Sequence, residues 1–365
     1  MVMAHYIGIM SGTSLDGIDA VLVTTDGRHI ELKGRTSAPM ASDLRERLLA
    51  IAGGGAVTAQ QWGELDAALG RAYADITRQL LADTGISAAQ VRAIGCHGQT
   101  VWHQPDGELP FSLQLGDGNR LAAETGITTV TDFRRKDMAL GGQGAPLVPA
   151  FHQCVLAHSE RLRIVVNIGG IANISVLAPG HPVRGHDVGP GNMLLDLWCR
   201  RHTGAPFDRD AALGRQGRVL PDLLARLLSE PWLALPAPKS TGRELFNDAW
   251  LERHLAGDEA IADVQATLTE FTATAIVRQA QQWPAGELLV CGGGGHNPLL
   301  MARLTALLPD WRVNTTNAAG VDMDAMEAMA FAWLAHQTLH HLPGNLPEVT
   351  GARRPAVLGA VHFPD

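Results

Sequence analysis

The residues able to do chemistry sit around glycine-rich turns. In the opening stretch YIGIMSGTSLDGIDAVLVTT, Ser11, Gly12, Thr13 and Ser14 offer small side chains and open backbone, and Asp16 and Asp19 bracket Gly17. Successive N–H groups in such a turn can hold anionic oxygens. A carboxylate beside them repels those oxygens unless a divalent cation or a reacting proton is also present. A plain β-hairpin is the alternative reading. A second turn lies in RIVVNIGGIANISVL, where Asn167, Gly169, Gly170 and Asn173 stand between two apolar runs. Further on, Asp187 opens DVGPGN ahead of an apolar helix beginning at Met193. Helix N-termini favour anions. Asn192 is placed to cap that helix, whereas Asp187 lies too far upstream to cap and becomes the second acid of interest. Finally Gly292, Gly293, Gly294 and Gly295 separate an apolar strand from a helix, which lets backbone approach a flat ligand. Asp322, Asp324 and Glu327 fall in the first turns of a last apolar helix read over residues 323–337; dipole compensation accounts for two of them.

The elements that must position these groups alternate between strand and helix periods. Apolar β-branched runs flank the opening turn, and residues 29–37, 91–96, 111–115 and 127–133 read as further strands. Trp62, Leu65, Leu69, Tyr73, Ile76 and Leu80 recur at three- and four-residue spacing, so they form one buried face of a helix, and Trp62 and Tyr73 belong to the core. Residues 131–149 pack charges beside Gly141, Gly142 and Gly144, a composition for a ligand-facing loop rather than a core element. The 365 residues exceed what one core serves, and the strand–turn–strand unit at 163–180 reprises the first. The expected division is residues 1–150, with the first glycine turn, and 151–365, with the second turn, Asp187 and the tetraglycine loop. Hydrophobic residues make up 46% and charged residues 18%, a globular balance. A net charge of −8 without a basic run argues against nucleic-acid or anionic-membrane partners. Four scattered cysteines make neither a zinc knuckle nor a disulfide framework. With no signal-peptide pattern and no membrane-length apolar run, the expected location is cytoplasmic.

The opening turn is not a Walker loop, since no lysine follows, nor a dinucleotide fingerprint, since a strand follows where a helix is required. Two hairpin turns and a later glycine loop resemble the actin, hexokinase and Hsp70 superfamily, which implies an α/β, two-domain, actin-like (ribonuclease H-like) ATPase fold with an interdomain cleft. The blocks GIMSGTSLDG, GCHGQTVWHQP, QLGDGN, TDFRRKDMALGGQGAPLVPAFH, NIGGIANIS, DVGPGN, PKSTGRELFN, CGGGGHNPLL and EAMAFAWLA cover most of the chain. In that order they resemble the anhydro-N-acetylmuramic acid kinases. One departure is Val188, where the family more usually has threonine.

The resemblance implies an ATP-dependent kinase that opens 1,6-anhydro-N-acetylmuramic acid with water and phosphorylates O6, in cell-wall recycling. It implies Asp187 as catalytic base and Gly12, Thr13, Ser14, Leu15, Asp16, Gly17, Ile18 and Asp19 as the ATP phosphate loop. Asn167, Gly169 and Gly170 follow as the second phosphate turn, and Gly292, Gly293, Gly294 and Gly295 as the adenosine side. A homodimer is also implied. By chemical reasoning, Asp16 belongs to a Mg²⁺ environment through water. The lactyl carboxylate of the sugar calls for a cation, for which Arg134 and Arg135 are candidates. His97 and Gln99 are candidate hydroxyl partners, and Glu327 a candidate assisting acid. His97 and His103 lack metal-ligand spacing. Competing readings are a kinase for another sugar, a phosphate-ester hydrolase, and a nucleotide-gated assembly protein.

Overall fold

The computed structural model describes residues 2–12, 15, 17–237 and 239–365. The chain begins with strands β1 (Ala4–Met10), β2 (Gly17–Thr25) and β3 (Ile30–Pro39), then helices α1 (Ser42–Ala52) and α2 (Ala59–Thr84). Next come β4 (Val91–Cys96), β5 (Gln99–Gln104), β6 (Phe111–Leu115) and α3 (Gly118–Thr125). β7 (Thr129–Thr131), α4 (Arg135–Ala139) and α5 (Val148–Leu156) follow. A second series runs β8 (Arg163–Ile168), β9 (Ile171–Leu177), β10 (Arg184–Pro190), α6 (Met193–Thr203), α7 (Pro221–Leu228) and α8 (Asp248–Glu252). It continues with α9 (Ile261–Ala280), β11 (Glu287–Cys291), α10 (Pro298–Leu307) and β12 (Arg312–Thr315). The chain closes with α11 (Met326–Leu339), α12 (Pro347–Thr350) and β13 (Ala360–His362).

Two compact units result: Met1–Val155 with Ala325–Asp365, and Leu156–Asp324. The division expected at 150/151 therefore moves by five residues, and residues 325–365 join the first unit instead of the second. The physical reason is α11, which packs against β1, β2 and β4. Gly8 and Gly95 make that approach possible, because a Cβ at either would fall into the carbonyls of Ala328 or Phe331 on the helix.

In the first unit the sheet order is β13-β7-β4-β1-β2-β3. β1, β2 and β3 are antiparallel neighbours, while β4 and β7 run parallel to β1. The second unit repeats the plan as β10-β9-β8-β11-β12, with β8, β9 and β10 antiparallel and β11 and β12 parallel to β8. Numbered in chain order within each sheet, both contain the order 3-2-1-4-5, to which the first adds β13 as a sixth, edge strand. That shared order is the ribonuclease H-like arrangement, and its duplication makes this an α/β protein of the actin-like ATPase class.

Both hairpins are apolar almost throughout because helices cover both faces of the sheet. Tyr6, Ile7, Ile9, Leu22 and Val23 are buried, as are Ile164, Val166 and Ile168 of β8. The stripe on α2 behaves as its spacing predicts: Leu65, Leu69, Tyr73, Ile76 and Leu80 join the first core, with Trp62 half-buried at its margin. A separate aromatic cluster of Trp198, Phe246, Trp250 and Phe271 ties α6, α8 and α9 together in the second unit.

Residues 131–149 are less loop-like than their composition indicates, since α4 and the start of α5 lie there. Asp137 on α4 is wholly buried. Its carboxylate accepts hydrogen bonds from Gly144 N–H at 2.8 Å, Asn345 Nδ2 at 2.6 Å and Thr350 Oγ1 at 2.7 Å. Gly142 and Gly144 are required because a Cβ would run into Asp137 or Met138. These glycines serve packing, where the sequence indicated ligand access.

Candidate active site

In the second unit the glycine turns meet at the carboxyl ends of the parallel strands, where ligands bind in open α/β sheets. Asn167 on β8 pairs with Cys291 on β11 and with Asn173 on β9. Gly170 O accepts N–H bonds from Gly191 at 2.8 Å and Met193 at 3.1 Å, and Gly169 O accepts one from Asn192 at 2.8 Å. Asn192 occupies the N-cap position of α6 but does not cap it. Its Nδ2 donates instead to Ile168 O at 3.1 Å, so the side chain that the sequence assigned to capping ties this segment to the second turn. Gly292 has φ +78°, and a Cβ there would collide with Asn167 Oδ1. Gly293, Gly294 and Gly295 form a 3-10 turn, after which Asn297 caps α10 through Leu299 and Leu300 N–H. The candidate residues Asn167, Gly169, Gly170 and Gly292 to Gly295 are thus brought together with the segment that follows Asp187.

Asp187 lies within β10 opposite Asn173, not in a turn before a helix. A bulge falls between Asp187 and Gly189, with Val188 turned into the core. Such bulges re-aim the neighbouring side chain. Asp187 N–H donates to Lys239 O at 3.1 Å, and Oδ2 accepts from Thr241 N–H at 3.0 Å. Burial raises its pKa from 3.8 to about 6, reinforced by the charge of Glu244 and opposed by the Thr241 N–H and by Lys239. Lys239 itself is tied down: Nζ donates to Leu233 O at 2.9 Å and lies 4.4 Å from the Trp232 ring centre. Lys239 and Thr241 lie in the PKSTGRELFN block, but neither is among the residues the sequence singles out. The signal was a Lys-Ser-Thr-Gly run with no core periodicity to explain it.

In the first unit, Thr13, Ser14 and Asp16 lie outside the described residues. The described residues beside them, Ser11, Gly12 and Leu15, are pinned from three directions. Ser11 Oγ is 2.9 Å from Tyr73 Oη and donates to Gly98 O at 3.3 Å. Gln99 Nε2 donates to Gly12 O at 3.2 Å, and Arg45 Nε to Leu15 O at 3.1 Å. Leu15 has φ +58°, a left-handed conformation that a γ-branched residue holds only when its surroundings enforce it. Gly17, Ile18 and Asp19 belong to β2 rather than to the turn, and the Ile18 side chain enters the core.

The residues assigned to a sugar differ in disposition. Gln99 is buried, with its amide nitrogen engaged by Gly12 O and Thr100 O, so it holds the Gly12 backbone, while its Oε1 has no partner among the described residues. His97 is 4% exposed and packs against Phe331 with ring centres 4.7 Å apart. Its Nε2 accepts from Arg134 Nε at 3.1 Å and Nη2 at 2.8 Å. Arginine has only donors, so His97 is neutral with its proton on Nδ1. Burial and the adjacent guanidinium push its pKa well below the usual imidazole range. Arg134 Nη1 also donates to Gly144 O at 2.8 Å. Burial lowers the Arg134 pKa to about 10, with Glu327 and Asp137 acting to raise it. Arg135 is exposed and paired with Asp132 at 2.6 Å. At the start of α11, burial raises the Glu327 pKa, opposed by Arg134 and reinforced by Asp19. Arg134, Glu327 and Asp19 are therefore electrostatically coupled within one unit. A cavity of about 340 Å³ in this unit is lined by His97, Trp62, Asp66, Asp117, Arg135 and His362 among others. Trp62, assigned to the core, forms part of this wall.

Among the described residues no group of three or more His, Cys, Asp or Glu could hold a metal ion, and no helix is long and apolar enough to cross a membrane. A family model described as anhydro-N-acetylmuramic acid kinase matches residues 4–364. The chain belongs to the anhydro-N-acetylmuramic acid kinase family. Family members from Vibrio parahaemolyticus and Photobacterium profundum are similar along their whole length. The first is 58% identical over 361 residues, covering 98% of each chain, and the second 55% identical over 372 residues, covering 99% of each. Among solved structures, component A of Acidaminococcus fermentans (R)-2-hydroxyglutaryl-CoA dehydratase aligns at 12% identity and a TM-score of 0.48, covering 90% of this chain and 96% of that one.

Proposed function

We propose that this kinase converts 1,6-anhydro-N-acetylmuramic acid, ATP and water to N-acetylmuramic acid 6-phosphate and ADP, in peptidoglycan recycling. The observation that carries the reading is Asp187. It is a carboxylate with a pKa raised to about 6 by burial, in the unit where residues 167–170, 187–192 and 292–295 converge. A general base works best with a pKa near the operating pH. Thr241 N–H holds Oδ2, and Oδ1 takes the proton. Water attacks the anomeric carbon as Asp187 accepts its proton. The bond from that carbon to O6 breaks, O6 bonds to the γ-phosphorus, and ADP leaves. Phosphoryl transfer is mainly positioning and charge neutralisation.

The turn flanked by Gly12 and Leu15 takes ATP phosphate oxygens on backbone N–H groups, with the backbone of Gly17, Ile18 and Asp19 beside it. Asn167, Gly169 and Gly170 supply the second phosphate turn, and Gly292 to Gly295 the approach for adenosine. Mg²⁺ is bound by one or two carboxylates plus phosphates and keeps several waters. The coupled Asp19 and Glu327 fit such an ion, and Asp16 would add to them through water. Bound there, the ion would neutralise charge on the transferring phosphoryl group. Arg134 receives the lactyl carboxylate, with Arg135 next to it, and His97 and Gln99 support these contacts. The working form is a cytoplasmic homodimer.

The test is to incubate the protein with ATP, Mg²⁺ and the anhydro sugar in heavy-oxygen water. The expected product gains one phosphoryl group and one labelled oxygen at the anomeric carbon. Label in phosphate with unchanged sugar would mean ATP hydrolysis alone and sink the proposal.

A further inference from the structure

We propose that His97 is a positioning residue for Arg134, turning the outer edge of the guanidinium toward the substrate's carboxylate. The inference rests on the reading of Arg134 as that carboxylate's partner. Arginine carries five N–H donors in a rigid fork. Three are committed among the described residues: Nε and one Nη2 hydrogen to His97 Nε2, and one Nη1 hydrogen to Gly144 O. One hydrogen remains on each terminal nitrogen, the pair that matches a carboxylate bidentately.

Both anchors are themselves fixed. The His97 ring packs on Phe331, and its acceptor nitrogen stays deprotonated because burial, and then the adjacent Arg134 charge, disfavour the imidazolium. Gly144 is held by its own N–H to the buried Asp137 carboxylate, which Asn345 and Thr350 hold from the other side. The Nε2 lone pair of this buried imidazole is committed to one guanidinium, and bare packing against Phe331 would be served equally well by an apolar side chain without the cost of polar burial. Side chains held by such supporting contacts lose less freedom on binding.

The experiment measures equilibrium binding of two sugars in an Asp187→Asn background: 1,6-anhydro-N-acetylmuramic acid, and 1,6-anhydro-N-acetylglucosamine, which lacks the lactyl group. His97→Ala should weaken the lactyl sugar by roughly tenfold or more and the lactyl-free sugar by less than about twofold. His97→Gln, whose side-chain oxygen accepts N–H bonds, should recover most of the loss. Equal weakening of both sugars, unchanged binding, or no recovery with Gln overturns the proposal. Should His97→Ala fail to fold, His97→Leu fills the space without an acceptor and reads the same comparison. Arg134→Ala separates the two levels: if it weakens both sugars equally, the Arg134 reading fails. If only Arg134→Ala discriminates between the sugars, the His97 inference fails alone.

Discussion

Replacing Asp187 with asparagine should stop turnover and stabilise the fold. The carboxyl pKa rises from 3.8 to about 6. The folded protein therefore binds the proton more tightly than the unfolded chain. This group's contribution to stability is highest below pH 3.8 and is lost as pH rises to about 6. Above that, the shift of about two units amounts to a penalty on the order of 3 kcal/mol, at 1.36 kcal/mol per unit. Asparagine is nearly isosteric, accepts the Thr241 N–H through its oxygen and carries no charge, so it should recover much of that amount at pH 7. Urea unfolding at pH 7 should show the variant more stable than the parent, and at pH 4 the gap should shrink. Catalysis runs with the opposite sign, since the base must be ionised: kcat/KM of the parent should fall as pH drops below about 6. The variant should lose roughly 10²–10⁴ in kcat while still binding ATP. A variant less stable at both pH values would refute the burial argument, and retained turnover would refute the assignment of the base.

Other substitutions test the scaffold. Gly95→Ala places a methyl group in the Phe331 carbonyl, so α11 must move off β4; a loss of about 2 kcal/mol or more in denaturant unfolding is expected. Gly292→Ala meets Asn167 Oδ1 and is strained at φ +78°, so ATP affinity, read by calorimetry, should fall more than sugar affinity. Asp137→Ala leaves Gly144 N–H, Asn345 and Thr350 without their shared acceptor. It should cost about 3 kcal/mol or more, seen as a lower melting temperature.

Much of the architecture was legible because it is written in periodicity. The NIGGIANIS hairpin folds as β8 and β9 around Gly169 and Gly170, and Val91–Cys96 and Phe111–Leu115 are strands at the bounds their apolar runs mark. The helical stripe from Leu65 to Leu80 is buried as its spacing requires. The domain division was less legible, because α11 is apolar on nearly every face and its sequence does not say which sheet it covers. That information resides in Gly8 and Gly95, whose missing side chains admit the helix and which look like ordinary strand glycines until α11 is in place.

The same distinction explains the candidate site. Residue type marked Asp187 as an acid out of place, but its pKa is raised by burial and held back by contacts that no local pattern records. The Lys239 carbonyl and the Thr241 N–H reach it from more than fifty residues away, across a connector whose composition reads as linker. Backbone groups carry no residue signature, so a sequence can display the reacting side chain while hiding what tunes it. His97 and Gln99 show the converse. Both are polar and both look ligand-facing, yet His97 commits Nε2 to Arg134 and Gln99 commits Nε2 to the Gly12 carbonyl. Polar residues at the carboxyl end of a strand thus divide into those that meet a ligand and those that hold the first kind in place. What separates the two is where their donors and acceptors are already committed.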